Sequence, residues 1–201
     1  MKLHRIFIAI NLPEGIKTKL LEYENKWPEL LARWTTKENL HLTLAFLGNT
    51  SDQELAEVCA LLEKVGAKHN PFSLVFTKIT YGPFDYAQDK PDTKRPKMIW
   101  AVGEKSAELS TLQNDVQKIA GLEASPLRQG SSEASQPFSP HLTLARLKTF
   151  ELQRMELEEL PEVGEDISIS FEINSIEVME SQLKRSGSKY TILQSIPLGN
   201  N

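Results

Sequence analysis

Residues 41–47 read His41-Leu42-Thr43-Leu44-Ala45-Phe46-Leu47, and residues 141–147 read His141-Leu142-Thr143-Leu144-Ala145-Arg146-Leu147. The two copies differ only at Phe46 versus Arg146, and their histidines stand 100 positions apart (141 − 41). A repeat at that separation predicts a chain of two related halves. Both copies alternate and are rich in apolar residues, so each is expected to be a β-strand. Side chains in a strand have period two, which puts His41 with Thr43 on one face and His141 with Thr143 on another. Leu42, Leu44, Leu142 and Leu144 then point the other way, into a core. Each half offers an imidazole beside a hydroxyl, with Cβ atoms roughly 6–7 Å apart. If an approximate two-fold axis relates the halves, the two pairs face each other across a cleft around an anion-sized hole.

That set of groups suits a cyclic phosphodiester. A neutral imidazole takes a proton from water while an imidazolium gives one to the leaving oxygen. The hydroxyls of Thr43 and Thr143, with Arg146, suit the non-bridging phosphate oxygens. No metal is required. Arg146 is five residues beyond His141, and odd spacing places it on the opposite face unless a bulge re-aims it. Near-identity of the halves leaves open which histidine is acid and which base.

The doubled His-x-Thr-x pattern resembles the signature of the two-histidine phosphoesterase superfamily. Three further runs narrow it: Arg5-Ile6-Phe7-Ile8-Ala9-Ile10, Asn39-Leu40-His41-Leu42-Thr43-Leu44 with Phe46-Leu47-Gly48, and Pro140-His141-Leu142-Thr143-Leu144-Ala145-Arg146. Arg95-Pro96-Lys97-Met98-Ile99-Trp100 matches another run of the family. Together they resemble the RNA 2′,3′-cyclic phosphodiesterase (2′-5′ RNA ligase) family, across nearly the whole chain. The resemblance implies an α+β fold of two pseudo-symmetric lobes. Each lobe would be an antiparallel sheet with outer helices, the active-site cleft lying between them in one bilobal domain spanning residues 1–201. It implies hydrolysis of RNA 2′,3′-cyclic phosphate ends to 2′-phosphomonoesters, with 2′-5′ ligation as the same path run with an RNA hydroxyl. It gives His41 as general acid and His141 as general base, with Thr43, Thr143 and Arg146 on the substrate. No cofactor is implied, and a monomer is expected.

Composition bounds the partners. The chain has 201 residues, 40% hydrophobic and 25% charged, with a net charge of −4. A protein that wraps long nucleic acid is usually basic, so only a short RNA end is expected to be gripped. The single cysteine, Cys59, rules out an internal disulfide, fits a reducing cytoplasm, and is expected as a small buried hydrophobe. Met1 to Arg5 lead into a strand-like run, so no signal peptide is expected. No stretch reaches the roughly 20 apolar residues of a membrane span.

Outward from the motifs, residues 5–10 predict a central strand apolar on both faces. Pro13 predicts a helix start, with Ile16, Leu20, Tyr23 and Trp27 at helical spacing. Ser51-Asp52-Gln53-Glu54 is a capping box. Its helix would bury Leu55, Val58, Leu62 and Val65. Residues 72–77 predict a strand, 82–96 a long loop with Lys94, Arg95 and Lys97 at its end, and 100–102 a strand. Leu109, Leu112, Val116 and Ile119 predict a helix closed by Gly121. Residues 123–137 predict a flexible loop, 150–160 a charged helix, 167–173 a strand that 176–179 extend, and 190–196 a last strand. Trp34 is expected at the core or lobe rim. His4 and His69 are expected as solvated surface residues.

Three alternatives stand beside this reading. Two histidines can ligate zinc, but no nearby Cys, Asp or Glu completes a set. A non-catalytic RNA-end binding module would keep the fold. The same fold also suits a small cyclic nucleotide or an ADP-ribose cyclic phosphate.

Overall fold

The structure is a computed structural model that describes residues 3–82, 96–122, 138–152, 159–185 and 187–199. Most of the expected loops at 82–96 and 123–137, with Lys94 and Arg95, lie outside these residues, as does most of the charged stretch 150–160.

Among the described residues nine strands and four α-helices follow in chain order: β1 Leu3–Asn11, α1 Glu14–Leu21, β2 Ala32–Trp34, β3 His41–Ser51, α2 Asp52–Gly66, β4 Phe72–Tyr81, β5 Met98–Gly103, α3 Ala107–Leu122, β6 His141–Leu147, α4 Thr149–Leu152, β7 Gly164–Ile173, β8 Ser175–Lys184 and β9 Gly187–Pro197. The strand order is β7-β4-β5-β6-β3-β1-β8-β9, with β2 also on β6. The neighbours pair antiparallel. The fold is α+β, with two four-stranded halves, β7-β4-β5-β6 and β3-β1-β8-β9. They join through the single pair Leu42↔Leu142. One bridge makes a continuous sheet by hydrogen bonding, yet leaves the halves free to diverge as lobes. The short strand β2 fills the divergence against Ala145 to Leu147.

The halves match residue by residue. Ala9, Ile10 and Asn11 pair with Thr43, Leu42 and His41 in one. Trp100, Ala101 and Val102 pair with Thr143, Leu142 and His141 in the other. Both motif strands also carry a bulge at the same place. One step from Ile8 to Ala9 spans Ala45 to Thr43, and one step from Ile99 to Trp100 spans Ala145 to Thr143. Leu44 and Leu144 are the extra residues, so the next residue also points inward. Leu44, Ala45, Leu144 and Ala145 are all buried.

Helices α2 and α3 lie on the leucine side. Val58, Leu62 and Val65 of α2 and Leu109, Leu112 and Val116 of α3 share one core with Ile6, Ile8, Ile10, Leu42, Leu44, Leu142 and Leu144. Each such side chain contributes about 1.5–3 kcal/mol by leaving water. The α2 start closes as expected: Ser51 Oγ accepts from the Glu54 N–H at 3.3 Å, and the Ser51 N–H donates to Glu54 Oε2 at 2.7 Å. The face opposite the helices carries the histidines and is thereby left open to a ligand.

Several sequence expectations shift. Helix α1 stops at Leu21 and tightens into a 3₁₀ turn over Glu22–Lys26, so Tyr23 and Trp27 stack on each other past its end. Helix α3 runs to Leu122, which puts Gly121 inside its last turn. Residues 175–184 form a strand of their own, β8, folded back beyond Asn174. Trp34 sits in β2, partly buried against the core. Cys59 is in α2 but only partly buried. His4 is not a solvated residue ahead of the first strand. It lies within β1, and its ring meets Glu180 at 2.6 Å and Asp52 at 3.1 Å. His69 likewise meets Asp115 at 3.1 Å, with its side chain 10% exposed. An imidazole needs a polar partner once covered, and both found carboxylates distant in sequence. No helix among the described residues is long and apolar enough to cross a membrane.

Candidate active site

Extending the Leu42↔Leu142 register by one residue sets His41 opposite Thr143 and Thr43 opposite His141. The four side chains form a rectangle on one face with the histidines at opposite corners. Diagonal neighbours in an antiparallel ladder stand about 7–8 Å apart, enough to flank a phosphorus atom. The backbone holds each ring in the same way. His41 Nδ1 lies 2.8 Å from the Asn39 carbonyl oxygen, and His141 Nδ1 lies 2.8 Å from that of Ser139. A carbonyl only accepts, so Nδ1 carries the hydrogen and donates it. Nε2 is left in both rings as the nitrogen that can exchange a proton with a ligand.

The two rings differ in what covers them. His41 tilts against Phe7, with centroids 4.9 Å apart, and meets Tyr190 edge-on at 5.1 Å and 89°. Burial disfavours its imidazolium and lowers its pKa to about 4; the Asn39 carbonyl opposes this and the Lys17 charge adds to it. His141 instead lies flat on Trp100, centroids 3.7 Å apart and planes 21° from parallel. A flat indole face favours a cation above it. The two rings thus differ in surroundings: burial disfavours the charged form of His41, while His141 lies flat on an indole face.

The bulges bring two more residues to this face. Ala9 and Phe7 share a face of β1, and Phe7 pairs with Phe46. Trp100 and Met98 share a face of β5, and Met98 pairs with Arg146. Phe46 and Arg146 therefore emerge beside the His-Thr pairs. Phe46 is 65% exposed. Arg146 Nη1 and Thr143 Oγ1 each lie 3.9 Å from Met98 Sδ, a weak acceptor that either group can leave for a phosphate oxygen. Arg33 of β2 pairs with Arg146, and its guanidinium lies against Gly187 of β9.

All five residues expected at the site, His41, Thr43, His141, Thr143 and Arg146, thus share one face. Sequence reasoning did not find Tyr190, Phe7 or the role of Trp100. Trp100 was visible only as the last residue of the Arg95-to-Trp100 run, where a strand was expected to follow. Its pairing with Thr143, and hence its stack on His141, depends on a register and a bulge that no local pattern encodes. Among the described residues no group of three or more His, Cys, Asp or Glu is placed to hold a metal ion.

A model of the 2′-5′ RNA ligase superfamily matches residues 19–185. A protein of Aquifex aeolicus named RNA 2′,3′-cyclic phosphodiesterase is 29% identical over 209 residues, covering 99% of this chain and 100% of its own. One of the same name from Aeropyrum pernix is 30% identical over 160 residues, covering 79% of this chain and 82% of its own. A crystal structure of a Thermus thermophilus protein superposes with a TM-score of 0.79 at 25% identity, covering 98% of this chain and 100% of that one.

Proposed function

The chain belongs to the 2′-5′ RNA ligase superfamily, and from that premise we propose that it is an RNA 2′,3′-cyclic phosphodiesterase, opening cyclic phosphate ends to 2′-phosphomonoesters. The observation that carries this is the pair of rings held alike through Nδ1, each with a threonine on the same face. The relatives that bear this name span the chain closely enough to support the same substrate class.

In the step we assign, the cyclic phosphate lies between the two rings. His141 Nε2 takes a proton from water as its oxygen bonds to phosphorus. The bond from phosphorus to the ribose 3′ oxygen breaks, and His41 Nε2 gives its proton to that oxygen. The phosphate stays on the 2′ oxygen, His41 ends neutral, and His141 ends as imidazolium. Burial disfavours the imidazolium of His41, so that ring, once protonated, gives its proton up readily, and His141 keeps its stack on Trp100 as it takes one. The anionic substrate supplies the charge that protonates His41 before the step. Thr43, Thr143 and Arg146 hold the non-bridging oxygens. A 5′-hydroxyl in place of water gives a 2′-5′ linkage by the same path.

The lone Cys59 supports a reducing compartment, and we place this single bilobal domain in the cytoplasm as a monomer. Incubation with an oligonucleotide ending in a 2′,3′-cyclic phosphate tests the function. The expected product is a 2′-phosphomonoester. A 3′-phosphate would reverse the orientation between His41 and His141, and no product at all would remove the activity.

A further inference from the structure

Lys17, on α1, is 5% exposed. Its ammonium meets Glu14 at 3.3 Å, a carboxylate whose side chain is 72% exposed and which Lys37 shares at 3.0 Å. An ammonium has three donors, and a buried one is costly unless paired. One exposed, shared carboxylate answers that cost only in part.

Lys17 also lines a cavity of about 390 Å³ with Asn11, Glu14, Lys37, Lys189 and Tyr190. This cavity adjoins His41 by two routes. Asn11 is directly across from His41 in the β1–β3 ladder, and the Tyr190 ring meets His41 edge-on. Three lysines face Glu14 and Glu38 around it, a balance of +1 (3 − 2) with Glu14 already held by two of the lysines. The proton transfers at the cyclic phosphate use none of these groups. Lysine suits phosphate as a point charge, and the Asn11 amide and Tyr190 hydroxyl add neutral donors.

We propose that this cavity is a second anion subsite, taking the phosphodiester on the 5′ side of the nucleotide that carries the cyclic phosphate. The preferred substrate is then an RNA end of at least two nucleotides rather than a cyclic mononucleotide. The subsite rests on the proposed function, since it needs a cyclic phosphate seated between His41 and His141. It lies one nucleotide away on the His41 side, the side of the leaving ribose oxygen.

The test compares kcat and KM for a cyclic mononucleotide, a dinucleotide with a 2′,3′-cyclic end, and the same dinucleotide with a neutral methylphosphonate between its nucleosides. The native protein is expected to favour the dinucleotide by tenfold or more in kcat/KM, chiefly through KM. The methylphosphonate should lose that advantage. Lys17→Met should shrink the ratio of dinucleotide to mononucleotide, and Lys17→Arg should restore most of it. Equal kcat/KM for the dinucleotide and its methylphosphonate overturns the subsite. So does a Lys17→Met variant that slows both substrates by one factor, since Lys17 then acts only through His41 or the fold. If Lys17→Met does not fold, the methylphosphonate comparison on the native protein decides alone. Failure to turn over any of the three removes the proposed function, and the subsite with it.

Discussion

Trp100 lies face to face with His141, ring centroids 3.7 Å apart, while its own Nε1 is buried with no hydrogen-bond partner among the described residues. An unpaired buried donor costs about 1–3 kcal/mol. The indole is therefore held for its plane and not for its N–H. Trp100→Phe keeps a plane and removes the orphaned donor, so it should keep most turnover at little cost in stability. Trp100→Ala frees the ring of His141 and should cut kcat about tenfold or more. Steady-state kinetics with thermal melts check both. An Ala variant that stays folded and fully active would leave the stack without a role in turnover.

In the proposed step each histidine carries one proton transfer, and general acid–base groups contribute about 10²–10⁴-fold. His41→Ala and His141→Ala should each lower kcat by that order with the fold intact, as read by circular dichroism. The two losses should not add in the double variant, because one transfer without the other does not complete the step. Near-normal turnover in either folded variant would end the two-histidine mechanism.

Much of this site was legible in the sequence because duplication wrote it twice. Period-two alternation alone put His41 with Thr43 and His141 with Thr143, and put the intervening leucines in the core. Alternation failed where the strand is not regular. Counting from His141 sends Arg146 to the wrong face; the extra residue Leu144 turns it back. His4 and His69 failed for a different reason. Their carboxylate partners lie 176 and 46 residues away, and no local pattern carries that distance. Lys17 reads as an ordinary helix lysine, and only packing against the lobe buries it.

Arg146 shares its face with His141 through the bulge, which puts its guanidinium on the site face and not in the core. Arg146→Ala should raise KM about tenfold, while Phe46→Ala, on the matching corner, should act on KM without loss of charge-dependent binding. Arg146→Lys should restore little, because lysine lacks the planar fork. Unchanged KM for Arg146→Ala, measured at low salt, would show that the exposed guanidinium does not reach substrate.

The residues around the site make up no metal-ligating group among those described. The imidazole Nδ1 atoms are also committed to backbone carbonyls. Turnover should therefore persist in excess EDTA. A loss on chelation that zinc or magnesium restores would replace the acid–base reading with a metal-assisted one.

The pH profile separates the two histidines. His41 has its pKa lowered to about 4 by burial, against an ordinary value of about 6.5. The pair works only when singly protonated, so the acidic limb of kcat/KM should fall near pH 4, not near 6.5. In His141→Ala only His41 titrates. If His41 is the general acid, residual activity falls as pH rises through about 4; if it is the base, residual activity rises there. Stability gives an independent reading of the same ring. Between the folded and unfolded pKa values the unfolded chain holds the extra proton, so stability rises with pH. The contribution is fully present above about pH 6.5 and is lost as pH falls through about 4, roughly 3–3.5 kcal/mol in all. His41→Ala should flatten that dependence in denaturant melts across the same window. An acidic limb at 6.5, with melts that His41→Ala leaves unchanged in slope, would mean that Phe7 and Tyr190 do not shield the ring from water.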